Sequence, residues 1–141
     1  MSKQALLAEV SLFKGCTKSE LGRISSMAKR VVAVPGQVLT QEGEPGDRFF
    51  VIKLGDAEVT IGGKRVRKLA GGAFFGEIAL LDSLPRTATV TAKTPMVMYA
   101  VEADDFARFL DETPSVTNKM LKAVSELLRS VEGAPTYKKN F

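Results

Sequence analysis

Nine of the twelve glycines fall between Gly36 and Gly76, and no other feature constrains the chain as much. Glycine relieves the backbone where it must turn sharply, so a region this punctuated cannot hold long helices. The pieces between and beyond these breaks read "RVVAV", "QVLTQ", "RFFVIK", "AEVTI", "RVRKL", "ATVTA" and "MVMYAV". They are rich in Val, Phe, Thr and Ile, and each has strand length. Many short strands separated by turn signals predict an antiparallel sandwich or barrel over residues 30–101. Two turns have readable chemistry. In "EPGD", Pro45 presets the second position and Gly46 supplies the third of a type II turn. In "IGGK", Gly62 and Gly63 form a two-residue hairpin.

The flanks change period. Residues 1–29 read as helical, with Ala5, Leu6 and Val10 on one face. Thr17 followed by Glu20 gives a capping box ahead of Leu21, Ile24, Met27 and Ala28. Leu12 and Phe13 are expected to pack as a hinge between the two helices. Residues 102–132 are helical again. "ADDFARFLDE" sets Phe106, Phe109 and Leu110 on one face, and Thr113 with Pro114 opens a long helix. Its apolar stripe runs Val116, Met120, Val124, Leu127, Leu128, Val131, with Gly133 as the stop and a frayed tail over 133–141. At 141 residues the whole is read as one domain, 1–141, with a core large enough to fold without disulfides or metals.

Composition removes several functions. There is no histidine, which excludes a Ser-His-Asp triad, His-ligated zinc chemistry and a His-ligated haem. The one cysteine, Cys16, allows no internal disulfide and fits a reducing, cytoplasmic setting. No run approaches a membrane span, and no signal peptide is evident. A net charge of +4 suits an anionic small ligand and is too weak to argue for nucleic acid. The basic run Lys64 to Lys68 reads as a solvated hairpin face. The acids of "EGEPGD" lack calcium-loop spacing. No catalytic constellation is present, so the chain reads as a non-enzyme with no metal and no cofactor.

"FFGEIALLDSLPRTATV" sets Glu77 and Arg86 inside apolar sequence. A mutual ion pair closing a loop is one reading. A pocket for a polar anion is the other, because an ionised glutamate accepts from hydroxyls and a guanidinium donates in a fork that suits phosphate.

The same stretch resembles the phosphate-binding cassette of the cyclic nucleotide-binding domain family, F-G-E-[LI]-A-L followed by R-[AST]-A-[ST]-V. The upstream "VLTQEGEPGDRFFVIKLGDAEV" is similar to that family's strand–turn–strand signature, and the likeness covers about residues 5 to 132. It implies a β-roll, jelly-roll-like, with N-terminal helices and two C-terminal helices. It also implies a ligand, cAMP ahead of cGMP. By the resemblance, Glu77 accepts from the ribose 2′-hydroxyl with Gly76 making room, and the N–H groups of Ile78 and Ala79 face the cyclic phosphate. Arg86 neutralises that phosphate. Thr87 can touch phosphate and a guanine amino group, and Ala88 completes the ligand-binding run. Val59, Ile61 and Phe74 are candidates for the wall of the base pocket. Leu127 or Leu128, with Arg129 as an alternative, would cap the base from the final helix.

The expected function is therefore a cytoplasmic sensor that binds a cyclic nucleotide, with the last helix closing over the base. That helix could also meet a second copy in a homodimer, or an effector domain. Two alternatives stand beside this reading. One is the sensor half of a catabolite-activator-type transcription regulator, which would carry a helix-turn-helix after the long helix, where this chain has only "GAPTYKKNF" and so no nucleic-acid reader. The other is a structural or oligomerisation β-roll without ligand.

Overall fold

The computed structural model describes residues 2–76 and 85–130, with backbone alone for Leu127, Leu128 and Ser130. Two helices open the chain, α1 (Lys3–Ala8) and α2 (Lys18–Met27), with a 3₁₀ turn at Ser11–Phe13 between them. Eight strands follow among the described residues: β1 (Lys29–Ala33), β2 (Val38–Thr40), β3 (Arg48–Leu54), β4 (Ala57–Ile61), β5 (Lys64–Leu69), β6 (Phe74–Phe75), β7 (Thr89–Ala92) and β8 (Met96–Glu102). Helices α3 (Ala103–Glu112) and α4 (Pro114–Ser130) close the order. The strands form two antiparallel four-stranded sheets, β1-β8-β3-β6 and β2-β7-β4-β5: the antiparallel sandwich that the glycine spacing predicts, in the β-roll form that the family resemblance implies. Its two-residue strand β6 is too short to register as a strand in sequence.

Strand β3 explains why "RFFVIKL" lacks the alternation of a half-exposed strand. Phe50 and Ile52 point between the sheets, into a core with Phe75, Met98 and Val90. Phe49 and Val51 point outward into a second core built by the helices. A strand covered on both faces reads as a continuous apolar run. The helical layer is pinned by Phe13, whose ring meets Phe49 edge-on at 5.7 Å and Phe106 at 5.7 Å. Leu12 and Phe13 are thus fully packed core residues at the turn between the two helices, as expected. The backbone there is kept compact by the 3₁₀ turn, which swings both side chains inward.

Local chemistry at the helix ends follows the sequence closely. Thr17 and Glu20 form a reciprocal capping box, with Glu20 Oε1 accepting from the Thr17 N–H at 2.8 Å and Thr17 Oγ1 accepting from the Glu20 N–H at 3.2 Å. The same Glu20 carboxylate accepts from Ser115 Oγ at 3.1 Å and from Lys119 Nζ, so it also ties α2 to α4. These donors, Lys119 foremost, hold its carboxyl down at about 2. Arg23 adds a second tie, donating to Thr113 Oγ1 at 2.9 Å with its guanidinium over the Phe109 ring. Cys16 packs against the helical core. Burial, then Glu20, raises its pKa, which keeps the thiol protonated and inert.

The "IGGK" hairpin is as expected: Gly62 and Gly63 both have positive φ, and Ile61 pairs with Lys64. The other turn lies elsewhere. The hydrogen-bonded turn spans Gln41–Glu44, closed by Glu44 N–H to Gln41 C=O at 3.2 Å, with Gly43 at φ +84° in its third position. Gly46 is not among the described glycines with positive φ. Pro45 is drawn instead into an isolated antiparallel bridge with Pro85. That long-range pairing moves the turn three residues upstream.

Candidate functional site

Two backbone bonds place Arg86. The Gly43 N–H donates to the Arg86 carbonyl at 3.0 Å, and the Arg86 N–H donates to the Glu44 carbonyl at 2.8 Å. Together with the Pro45–Pro85 bridge they clip the segment before β7 onto the turn before β3. Thr89 Oγ1 continues the clip by accepting from the Glu42 N–H at 3.0 Å. The Glu42 carboxylate in turn accepts from the Gly62 N–H at 3.0 Å, which braces the turn against the β4–β5 hairpin.

The side chain of Arg86 then runs inward. Its guanidinium donates to the Arg48 carbonyl and lies against Gly76. Gly76 has φ +78°, and a Cβ there would stand 2.6 Å from Arg86 Nη1 and 2.9 Å from the Arg48 oxygen. Only glycine leaves room for the guanidinium. Among the described residues no carboxylate forms an ion pair with it. Burial lowers the Arg86 pKa; Asp47 opposes that shift and Arg48 adds to it. The group stays cationic at neutral pH. Beside it opens a cavity of about 280 Å³ lined by Leu39, Gln41, Glu44, Asp47, Arg48 and Arg86, among others.

The structure brings Gly76, Arg86 and Thr87 to one mouth of the roll. Arg86 is half-buried and Thr87 exposed directly after it. Ala88 is buried in the core between the sheets. Glu77, Ile78 and Ala79 lie outside the described residues. Val59 is fully buried between the sheets, and Ile61 packs at the edge of that core. Phe74 packs on the opposite side of its sheet, against the helical core, so these three do not share one surface. Arg129 is exposed on α4, while the side chains of Leu127 and Leu128 are outside the described residues, as are Gly133 and the tail. Sequence reasoning passed over Arg48 and Asp47. The signal was there in "GDRFF", which sets two opposite charges at the entrance to the most buried strand.

The fold and this site define a β-roll domain that presents a half-buried guanidinium at its mouth. A family model described as Cyclic nucleotide-binding domain matches residues 30–113. A cAMP-dependent protein kinase regulatory subunit of Yarrowia lipolytica is 40% identical over 106 residues, covering 74% of this chain and 28% of that protein. A cGMP-dependent protein kinase of Eimeria tenella is 38% identical over 122 residues, 85% of this chain and 12% of that one. An acetyltransferase Pat of Mycolicibacterium smegmatis is 32% identical, over 89% and 39% respectively. The chain thus spans well under half of each of these relatives. Among solved structures, the N-terminal domain of a transcriptional regulator from Streptomyces coelicolor superposes with a TM-score of 0.84 at 27% identity, covering 94% of this chain and 99% of that one. The chain belongs to the cyclic nucleotide-binding domain family. Among the described residues no helix is long and apolar enough to cross a membrane.

Proposed function

We propose that this domain binds a cyclic nucleoside 3′,5′-monophosphate as a regulatory sensor, with Arg86 as the phosphate anchor and Glu77 accepting from the ribose 2′-hydroxyl. The observation that carries this reading is the Arg86 guanidinium itself. It is half-buried, located by three hydrogen bonds through its main chain and side chain, and ion-paired to no carboxylate among the described residues. A cation held out of water in this way is stabilised by an incoming anion.

Binding is read out by a population shift of α4. Val116 and Met120 are buried in the helical core and Val124 packs against it, while Leu121, Lys122, Ser125, Glu126 and Arg129 are exposed. The stretch up to Val124 is therefore the fixed end, and the end of α4 beyond it is the part that closes over the base. Among relatives and neighbours, a kinase and a transcriptional regulator are named, and this sensor is proposed to serve an effector of that kind.

The name of the Yarrowia relative favours cAMP. The name of the Eimeria relative keeps cGMP within the same reading.

Calorimetric titration with cAMP, cGMP and linear AMP tests the proposal. Cyclic nucleotides are expected to bind and linear AMP to bind far more weakly. Arg86→Ala is expected to cost about 2–5 kcal/mol, the usual loss when a buried charge pair is broken. Unchanged affinity in Arg86→Ala, or no binding of either cyclic nucleotide, refutes it.

A further inference from the structure

Arg48 reaches the site twice. Its main-chain carbonyl accepts from the Arg86 guanidinium. Its side chain shares a strand face with Phe50, two residues on, and its guanidinium sits over the Phe50 ring at 4.9 Å. Phe50 stacks on Phe75 with centroids 4.9 Å apart and planes 19° from parallel. Phe75 leads directly into Gly76, the residue on which the Arg86 guanidinium rests. A cation held on an aromatic face keeps its orientation and most of its charge. Both guanidiniums line the cavity beside Arg86, as do Glu44 and Asp47. At neutral pH those four groups sum to zero charge. With Arg48 neutralised the same cavity carries a net charge of −1.

We propose that Arg48 is a second cationic determinant of phosphate affinity, held on Phe50 so that its charge offsets one of the two carboxylates, Glu44 and Asp47, and keeps the cavity around Arg86 from becoming net negative. The role rests on the reading of Arg86 as phosphate anchor and adds to it. Arg86 supplies the contact, and Arg48 sets the potential in which that contact is made. Its presence is opposed by like-charge repulsion: burial is the main cause that lowers the Arg86 pKa, and Arg48 adds to it while Asp47 opposes it. Such repulsion is relieved when an anion enters, so it strengthens binding relative to the empty site.

The test is titration of cAMP and of cGMP into the wild type, Arg48→Met, Arg48→Gln and Arg48→Lys between about 50 and 300 mM NaCl, a range over which screening changes strongly. Met keeps a flexible apolar cover on Phe50, Gln is the second neutral variant should Met fail to fold, and Lys retains the charge. Urea unfolding of each variant establishes that it is folded. The neutral variants are expected to bind about fivefold to tenfold more weakly at low salt, with a flatter salt dependence, and Lys to recover most of the affinity; one charge at cavity range is worth about that much. A merely structural role for Arg48 would lower the unfolding midpoint and leave the salt dependence alone. Neutral variants that bind within about twofold of the wild type, with the same salt dependence, overturn the role of Arg48 while the phosphate reading stands. A wild type that binds neither nucleotide overturns both.

Discussion

Gly76→Ala is the most direct probe of how the arginine site is built. The new Cβ would enter at φ +78° and stand 2.6 Å from Arg86 Nη1 and 2.9 Å from the Arg48 carbonyl oxygen. The left-handed backbone costs a residue with a Cβ about 1–2 kcal/mol. The guanidinium is the movable partner, the carbonyl the fixed one, so Arg86 is expected to withdraw by about 1 Å toward ordinary van der Waals contact at ~3.5 Å. A charge-assisted hydrogen bond is worth about 1.5–3 kcal/mol, which converts to roughly a tenfold to hundredfold loss of cyclic nucleotide affinity. Gly55→Ala is the control. Its φ is +99°, and its Cβ would meet the Pro95 carbonyl at 2.4 Å, in the turn between β3 and β4. It is expected to lose at least as much stability, yet the folded protein should bind as the wild type does. Urea unfolding gives the stability of each variant, and calorimetry on samples kept well below the unfolding midpoint gives affinity. Gly76→Ala binding within about twofold of the wild type, or an equal loss in Gly55→Ala, would refute the placement of Arg86 on Gly76.

Three further outcomes are expected. The Glu20 carboxyl, held at about 2 by Lys119, Thr17 and Ser115, lies below its ordinary 4.5, so the unfolded chain takes up the proton first. Its contribution is complete above about pH 4.5 and fades as pH falls toward 2. Because the pair is partly solvated, it should amount to about 1 kcal/mol, and Glu20→Gln should flatten stability against pH in that window; an unaltered profile would argue against the tie between α2 and α4. Thr87→Ala should weaken cGMP more than cAMP in side-by-side titrations, and equal losses would remove Thr87 from base selection. Phe13→Ala, which empties the junction between Phe49 and Phe106, should cost about 3–5 kcal/mol in urea unfolding, where less than about 1 kcal/mol would place Phe13 outside the core.

What could be read from sequence divides along physical lines. The capping box at Thr17 and Glu20, the Gly62–Gly63 hairpin and the start of α4 at Pro114 are local, set by residues within a few positions of one another, and all stand as expected. The double burial of β3 was implicit in its unbroken apolar run. Pairings distant in sequence were not legible. The Pro45–Pro85 bridge shifts a turn that Pro45 and Gly46 suggest by themselves, and Phe13 finds its partners in β3 and α3. Arg86 was recognisable because its motif is contiguous. Arg48 was not, because its contact with Arg86 spans 38 positions and its place on Phe50 depends on strand alternation feeding into a ring stack. The base wall is the least legible part: Val59 and Phe74 look equivalent in sequence but belong to different cores.

Strand β3 has a consequence for how news of an anion could leave the site. Phe49 and Phe50 are consecutive, yet one faces the helices and the other faces the ring stack that ends at Gly76. A small roll of this strand about its own axis would move both rings in opposite senses. The step from the ring stack beside the arginine mouth to the helical core is therefore a single peptide unit across the thickness of one sheet. A relay so short has little slack in which a displacement can dissipate.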